Sequence, residues 1–153
     1  MVTDSQTASF VGFVQQVEPR LRYALVAAVG VENGVEGTAE ALAYGWEHWD
    51  ELRVMANPAG YLYRVGRSKA SRLQRRPPRL PPVDDPVSPR VEPGLPEALS
   101  RLSERQRVAV VLVYCLEWTY AEVAELLGVS ISTVQQHAER GVRRLRLKMG
   151  VPV

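Results

Sequence analysis

Within twelve residues near its C-terminus the 153-residue chain places Gln135, Gln136, His137, Arg140, Arg143, Arg144 and Arg146. Glutamine can pair with adenine through two hydrogen bonds, and arginine can do the same with guanine. Arginines elsewhere on such a surface neutralise phosphates. Glu139 is the only acid between Ser130 and Met149. The chemistry these residues suit is therefore contact with a DNA groove. An ordinary helical hairpin with a solvated polar face is the plainer alternative, and the one-sided charge argues against it.

These side chains need two helices and a turn to present them. Thr119 suits an N-cap, and Glu122 follows three residues later as its capping-box partner. Ala121, Ala124, Leu126 and Leu127 supply packing positions, Gly128 a turn that tolerates positive φ, and Ser130 a second cap. Val134, Ala138, Val142 and Leu145 then recur at spacings of three and four and form a buried stripe. Most of the polar residues fall off that stripe. The pattern is that of a helix-turn-helix, whose second helix lies in the major groove.

A second basic region lies far upstream. Arg64, Arg67, Lys69, Arg72, Arg75, Arg76 and Arg79 are seven cations in sixteen residues without one acid, although the whole chain carries a formal charge of only +2. Arg64, Arg67/Ser68, Ser71/Arg72 and Arg75 make one helical ridge, with Tyr61 and Tyr63 a turn earlier. Such a row can track a phosphate backbone. By contrast, the first 63 residues hold eight acids and three bases.

Three helices are expected before the proline-rich stretch. One runs from about Gln6 to Val29, with a kink or break near Glu18 because Pro19 is interior to it. A second covers Gly37–Leu52, and a third opens at Asn57-Pro58 and reaches about Arg76. Eight of the eleven prolines then fall between Pro77 and Pro96. Lacking amide protons and restricting their predecessors, they predict an extended linker. After it come a short helix at Glu97–Leu102, a helix capped by Ser103 that runs through Val108–Leu116, and the two helices already described. The fold class is all-α, with a three-helix domain (residues 1–76), a linker (77–96) and a four-helix domain (97–153).

Several function classes are disfavoured. Cys115 is alone and sits in an apolar run, where a buried hydrophobe is expected; neither it nor His48 and His137 build a metal-ligand pattern. No metal or cofactor is expected. Paired carboxylates, a nucleophile–base arrangement and a phosphate-cradling glycine loop are all missing, so the chain does not read as an enzyme. The N-terminus lacks the features of a signal peptide, and no apolar run approaches membrane-spanning length. A cytoplasmic protein is expected.

The stretch Leu102–Arg146, LSERQRVAVVLVYCLEWTYAEVAELLGVSISTVQQHAERGVRRLR, resembles the promoter −35 domain of bacterial RNA polymerase sigma factors of the sigma-70 family, extracytoplasmic-function group. NPAGYLYRVGRSKASRLQRR (Asn57–Arg76) is similar to the family's −10 helix, and WEHWDEL (Trp46–Leu52) to the end of its polymerase-binding helix. The resemblance implies an alternative sigma factor that binds double-stranded promoter DNA and core RNA polymerase and that an anti-sigma factor can restrain. A helix-turn-helix regulator without sigma activity is the alternative. The residues it implies at the −35 element are Ser130, Thr133, Gln135, Gln136, His137, Arg140, Arg143, Arg144 and Arg146. At the −10 element they are Tyr61, Arg64, Arg67, Ser68, Lys69, Ser71, Arg72, Arg75 and Arg76. Glu36, Glu40, Trp46 and Trp49 would meet the polymerase, in a helix that has Ala39 where the family commonly has glutamine, and glycines at 37 and 45.

Overall fold

The computed structural model describes residues 2–73 and 94–150. Among them every regular element is helical: α1 (Val2–Val29), α2 (Val31–Glu47), α3 (Trp49–Leu52), α4 (Pro58–Leu73), α5 (Leu95–Ser100), α6 (Glu104–Val110), α7 (Tyr120–Leu127) and α8 (Ile131–Lys148). The expectation of an all-α chain therefore holds over these residues. The stretch 77–93 of the expected linker lies outside them. Its last residues do not: α5 opens at Leu95 with Pro96 in its first turn, where the missing amide proton costs no hydrogen bond.

Of the expected kink or break near Glu18, a break is absent: α1 continues as one helix through Pro19. Its buried stripe, Leu21, Ala24, Leu25 and Ala28, lies after the proline and holds that length against its neighbours. The chain reverses at Gly30, whose φ of 94° suits a residue without Cβ. α2 starts there, six residues before the expected Gly37, and ends at His48, so that Trp49–Leu52 forms a separate turn. Packing explains the glycines that set this segment apart. A Cβ at Gly37 would lie 2.9 Å from the Gly66 carbonyl oxygen, and one at Gly66 would lie 2.7 Å from Leu25 Cδ1. α2 and α4 meet backbone to backbone at this point, over α1. Phe10 and Phe13 cover the other end, with ring centroids 5.3 and 5.0 Å from Trp49.

α6 is capped by Ser103, whose hydroxyl accepts from the Gln106 amide. It does not run on as a plain α-helix. Val111–Cys115 widens into a π-helical turn, which the Leu116 amide closes onto the Val111 carbonyl at 3.0 Å. The added residue rotates the end of the apolar run, so Cys115 is exposed rather than buried as expected. Leu112 remains fully buried.

One core links the two halves. Leu21, Leu25, Leu52 and Leu62 from the first share a buried cluster with Val108, Leu112, Val123, Leu126, Val134 and Ala138 from the second. Fully burying a side chain of this kind stabilises by roughly 1.5–3 kcal/mol before its entropy is counted. A smaller cluster, Ala98, Leu99, Leu102, Val110 and Leu145, lies where α5 and α6 meet α8.

Candidate nucleic-acid interface

α7 and α8 are set by the local chemistry legible in their residues. The Thr119 hydroxyl accepts from the Glu122 amide at 3.1 Å, and the Glu122 carboxylate accepts from the Thr119 amide at 3.2 Å, completing the capping box. The Thr119 amide, and then the Thr119 hydroxyl, both donating to the Glu122 carboxylate, come first among the causes that hold its pKa below the usual value. Gly128 ends the helix at φ 70°, and the Gly128 and Val129 amides both donate to the Ala124 carbonyl. Ser130 Oγ then accepts from the Thr133 amide at 3.1 Å and starts α8. Val123, Ala124 and Leu126 are buried, whereas Ala121, expected to pack, is exposed.

On α8, Val134, Ala138 and Leu145 are buried and Val142 is half-buried, as the stripe requires. Gln136, Arg140 and Arg143 follow at spacings of four and three, so they share one exposed face; Thr133 lies in line with them. None of these three side chains has a hydrogen bond or ion pair with another described residue. The remaining polar residues are differently placed. Gln135 donates to Glu139 at 3.0 Å, and Arg144 donates to the Gln106 side chain at 3.0 Å. Arg146 is exposed on another side of the helix. His137 is half-buried and lines a cavity of about 190 Å³ with Tyr63, Glu104, Arg105 and Val129. Burial, and then the nearby Arg105 and Arg140, pull its pKa below the ordinary histidine value.

The upstream basic helix has a more mixed surface. Asn57 caps α4 by accepting from the Gly60 amide at 3.0 Å, and its own amide reaches across to the Glu125 carbonyl at 2.7 Å. Arg64, Ser68, Ser71 and Arg72 are exposed. Arg64 lies over the Tyr61 ring, its guanidinium carbon 5.8 Å from the centroid. The expected ridge loses Arg67, whose guanidinium turns inward to Glu104: Nε to Oε2 is 2.8 Å and Nη2 to Oε1 is 2.6 Å. Lys69 stands 3.6 Å from Glu40. Tyr63 is buried, and burial pushes its hydroxyl pKa strongly upward. Arg75 and Arg76 lie outside the described residues.

Two side chains that periodicity along α4 does not reveal complete this surface. Tyr44 of α2 faces Tyr61, hydroxyl to hydroxyl at 3.3 Å, and stacks on His48 at 4.0 Å. Tyr44, Tyr61, Arg64, Ser68, Lys69 and Arg72 line an open groove of about 350 Å³. Aromatic rings beside cations are the combination that stacks bases and holds their phosphates. Tyr44 and His48 are four residues apart, and this spacing is the one signal in the chain that could have found them.

Of the residues expected to meet the polymerase, Glu36, Glu40 and Trp46 are exposed. Trp49 is 7% exposed and belongs to the core, packed on Phe10 and Phe13. Its surface is already covered. Among the described residues no cluster of histidine, cysteine or carboxylate side chains could hold a metal ion, and no helix is long and apolar enough to cross a membrane.

Comparison with known proteins finds a similarity that is centred on the C-terminal helices. Residues 94–145 match the model of sigma-70 region 4. RNA polymerase sigma factor FliA of Pseudomonas aeruginosa is 34% identical over 68 residues, 44% of this chain and 28% of that protein. The chain thus spans under a third of the curated relative it matches. Sigma factor RpoE, in complex with the anti-sigma factor NepR from Bartonella quintana, superposes with a TM-score of 0.67 at 20% identity over 95% of this chain and 99% of that one. At that identity the likeness is one of fold. Residues 94–145 are thus similar to sigma-70 region 4.

Proposed function

We propose that this chain is an alternative sigma factor of the extracytoplasmic-function type, which directs core RNA polymerase to specific promoters. The region 4 match over residues 94–145 carries the reading, because it covers the elements that present Gln136, Arg140 and Arg143. In this reading residues 1–76 bind the polymerase and the −10 element, 77–96 tether, and 97–153 bind the −35 element. α8 enters the major groove as the second helix of a helix-turn-helix. Gln136 and Arg140 read base edges while Arg143, Arg144 and Arg146 neutralise phosphates. The groove beside Tyr44 and Tyr61 takes separated −10 bases, with Arg64, Ser68, Lys69 and Arg72 along the backbone. The exposed Glu36, Glu40 and Trp46 side of α2 meets the polymerase, and an anti-sigma factor restrains the whole.

Two features support the assignment of α2. Its glycines at 37 and 45 face inward, so they leave the acidic side intact. Its outward charges are all acidic, as docking to a basic partner surface requires. Transcription in vitro with purified core polymerase and a linear template tests the function. A promoter-specific transcript supports the sigma factor. DNA binding without any transcript supports the alternative, a helix-turn-helix regulator that uses only the second half.

A further inference from the structure

α6 grips the first half of the chain at two points one helical turn apart. Arg107, only 3% exposed, donates Nε to the Ala27 carbonyl and Nη2 to the Ala28 carbonyl, both at 2.6 Å, and Nη1 to the Leu102 carbonyl at 3.1 Å. Ala27 and Ala28 lie in the last turn of α1. Carbonyls there lack helical partners, and the helix dipole places negative charge on them. A buried guanidinium is the group best matched to them.

This anchor fixes where Glu104 stands. Three residues before Arg107 on the same helix, Glu104 meets Arg67 of α4 through two parallel nitrogen–oxygen bonds. Each side chain is about one-third exposed, 30% for Arg67 and 33% for Glu104, so the pair sits at the mouth of the junction and not in its depth. A paired guanidinium of this kind presents to a carboxylate the same two-pronged geometry it presents to a phosphate. Arg67 belongs by sequence to the basic ridge with Arg64 and Arg72, yet here its donors are occupied by an internal anion. Further rim contacts hold the same junction: Arg20 pairs with Glu122 and lies over Trp118, and Asn57 bonds Glu125.

From this geometry we propose that Glu104 is an internal competitor for nucleic acid: it occupies Arg67 as a phosphate would, so that docking of α6 on α4 and phosphate binding by Arg67 exclude one another. The inference rests on reading α4 as a nucleic-acid surface. It adds a built-in restraint on that surface, and assigns the restraint to one carboxylate.

The test uses the full-length chain and a fluorescently labelled single-stranded oligodeoxynucleotide, with anisotropy measured over several salt concentrations. Glu104→Gln keeps size and removes the charge. It is expected to tighten binding about three- to tenfold at low salt and to steepen the salt dependence by about 0.7, the value for one added phosphate contact on a single strand. Glu97→Gln is the control, since it removes the same charge from α5, where Glu97 is exposed and, among the described residues, its carboxylate pairs with its neighbour Arg101 alone. It should leave affinity close to that of the parent. Arg67→Gln combined with Glu104→Gln should abolish the gain. Circular dichroism checks that helix content is retained in each.

An equal gain from Glu97→Gln and Glu104→Gln would mean a general charge effect and overturn the proposal. So would an unchanged affinity for Glu104→Gln, or a gain that persists without Arg67. The in vitro transcript reports separately on the sigma reading. A gain in oligonucleotide binding without any transcript leaves the competition standing and removes sigma activity; a transcript without the gain does the reverse.

Discussion

The two basic helices look alike in sequence and differ in what the fold does with their charges. On α8 the buried stripe and the exposed face separate cleanly, and Gln136, Arg140 and Arg143 point outward with no internal partner among the described residues. On α4 the cations are shared out: Arg67 goes to Glu104, Lys69 lies near Glu40, and Arg64 leans over Tyr61. The reason is position. α8 packs through its buried stripe onto α5, α6 and α7, whereas α4 is packed against α1, α2 and α7 and meets α6 through the Arg67–Glu104 pair. A helix with neighbours on several sides finds acids on them. Counting cations along a helix therefore overstates its capacity for phosphate wherever other elements can reach its charged side.

The largest effect that would sharpen this comparison comes from the junction itself. Arg107→Ala removes three hydrogen bonds and leaves the Ala27 and Ala28 carbonyls buried without partners, at roughly 1–3 kcal/mol for each buried group left unsatisfied. A loss of about 3 kcal/mol is expected in urea unfolding. If Arg107→Ala unfolds at the parent's midpoint, the halves are not held together by this contact and the contrast between α4 and α8 loses its cause.

Next in size is the reading face. Arg140→Ala or Gln136→Ala should cost about 1–3 kcal/mol of discrimination between a specific and a scrambled duplex. Arg64→Ala on α4 should instead weaken both duplexes alike. Equal losses on both duplexes for Gln136→Ala and Arg140→Ala would make α8 a positioning helix like α4, and the comparison would fail.

Smaller again is the cap of α8. Ser130→Ala removes the acceptor of the Thr133 amide and should cost about 1 kcal/mol, read as a lower thermal midpoint. The reading residues lie beyond this first turn, so specificity in those molecules that remain folded should not change.

The smallest expected effect is a pH dependence carried by His137. Burial lowers its folded pKa, so in acid the unfolded chain binds the extra proton more readily than the folded one. Stability from this residue is present above the unfolded value of about 6.5 and declines as pH falls below it. His137→Gln should flatten that slope in unfolding measured between pH 7 and 5. An unchanged slope would place His137 on the open face with Gln136, in agreement with the sequence-based expectation and against the cavity.

The features that can be read directly from the residues are mostly local. The Thr119–Glu122 box, the Gly128 turn, the Ser130 cap and the α8 stripe were all legible, because each depends on residues within one or two helical turns. The start of α4 at Asn57-Pro58 was legible for the same reason. Contacts between distant segments decided the rest. α1 runs on through Pro19 because the stripe after it is clamped by α2 and α4. α2 begins early because Gly30 turns the chain, and its glycines admit α4. Trp49 belongs to the core because Phe10 and Phe13, some forty residues earlier, close over it. Cys115 is exposed because a π turn shifts the register of an apolar run. Tyr44 joins the groove of α4, and Arg67 leaves its ridge, because α2 and α6 bring a ring and a carboxylate to them. Hydrophobic spacing reports which side of a helix is buried; it carries no record of which partner supplies the charge on the other side.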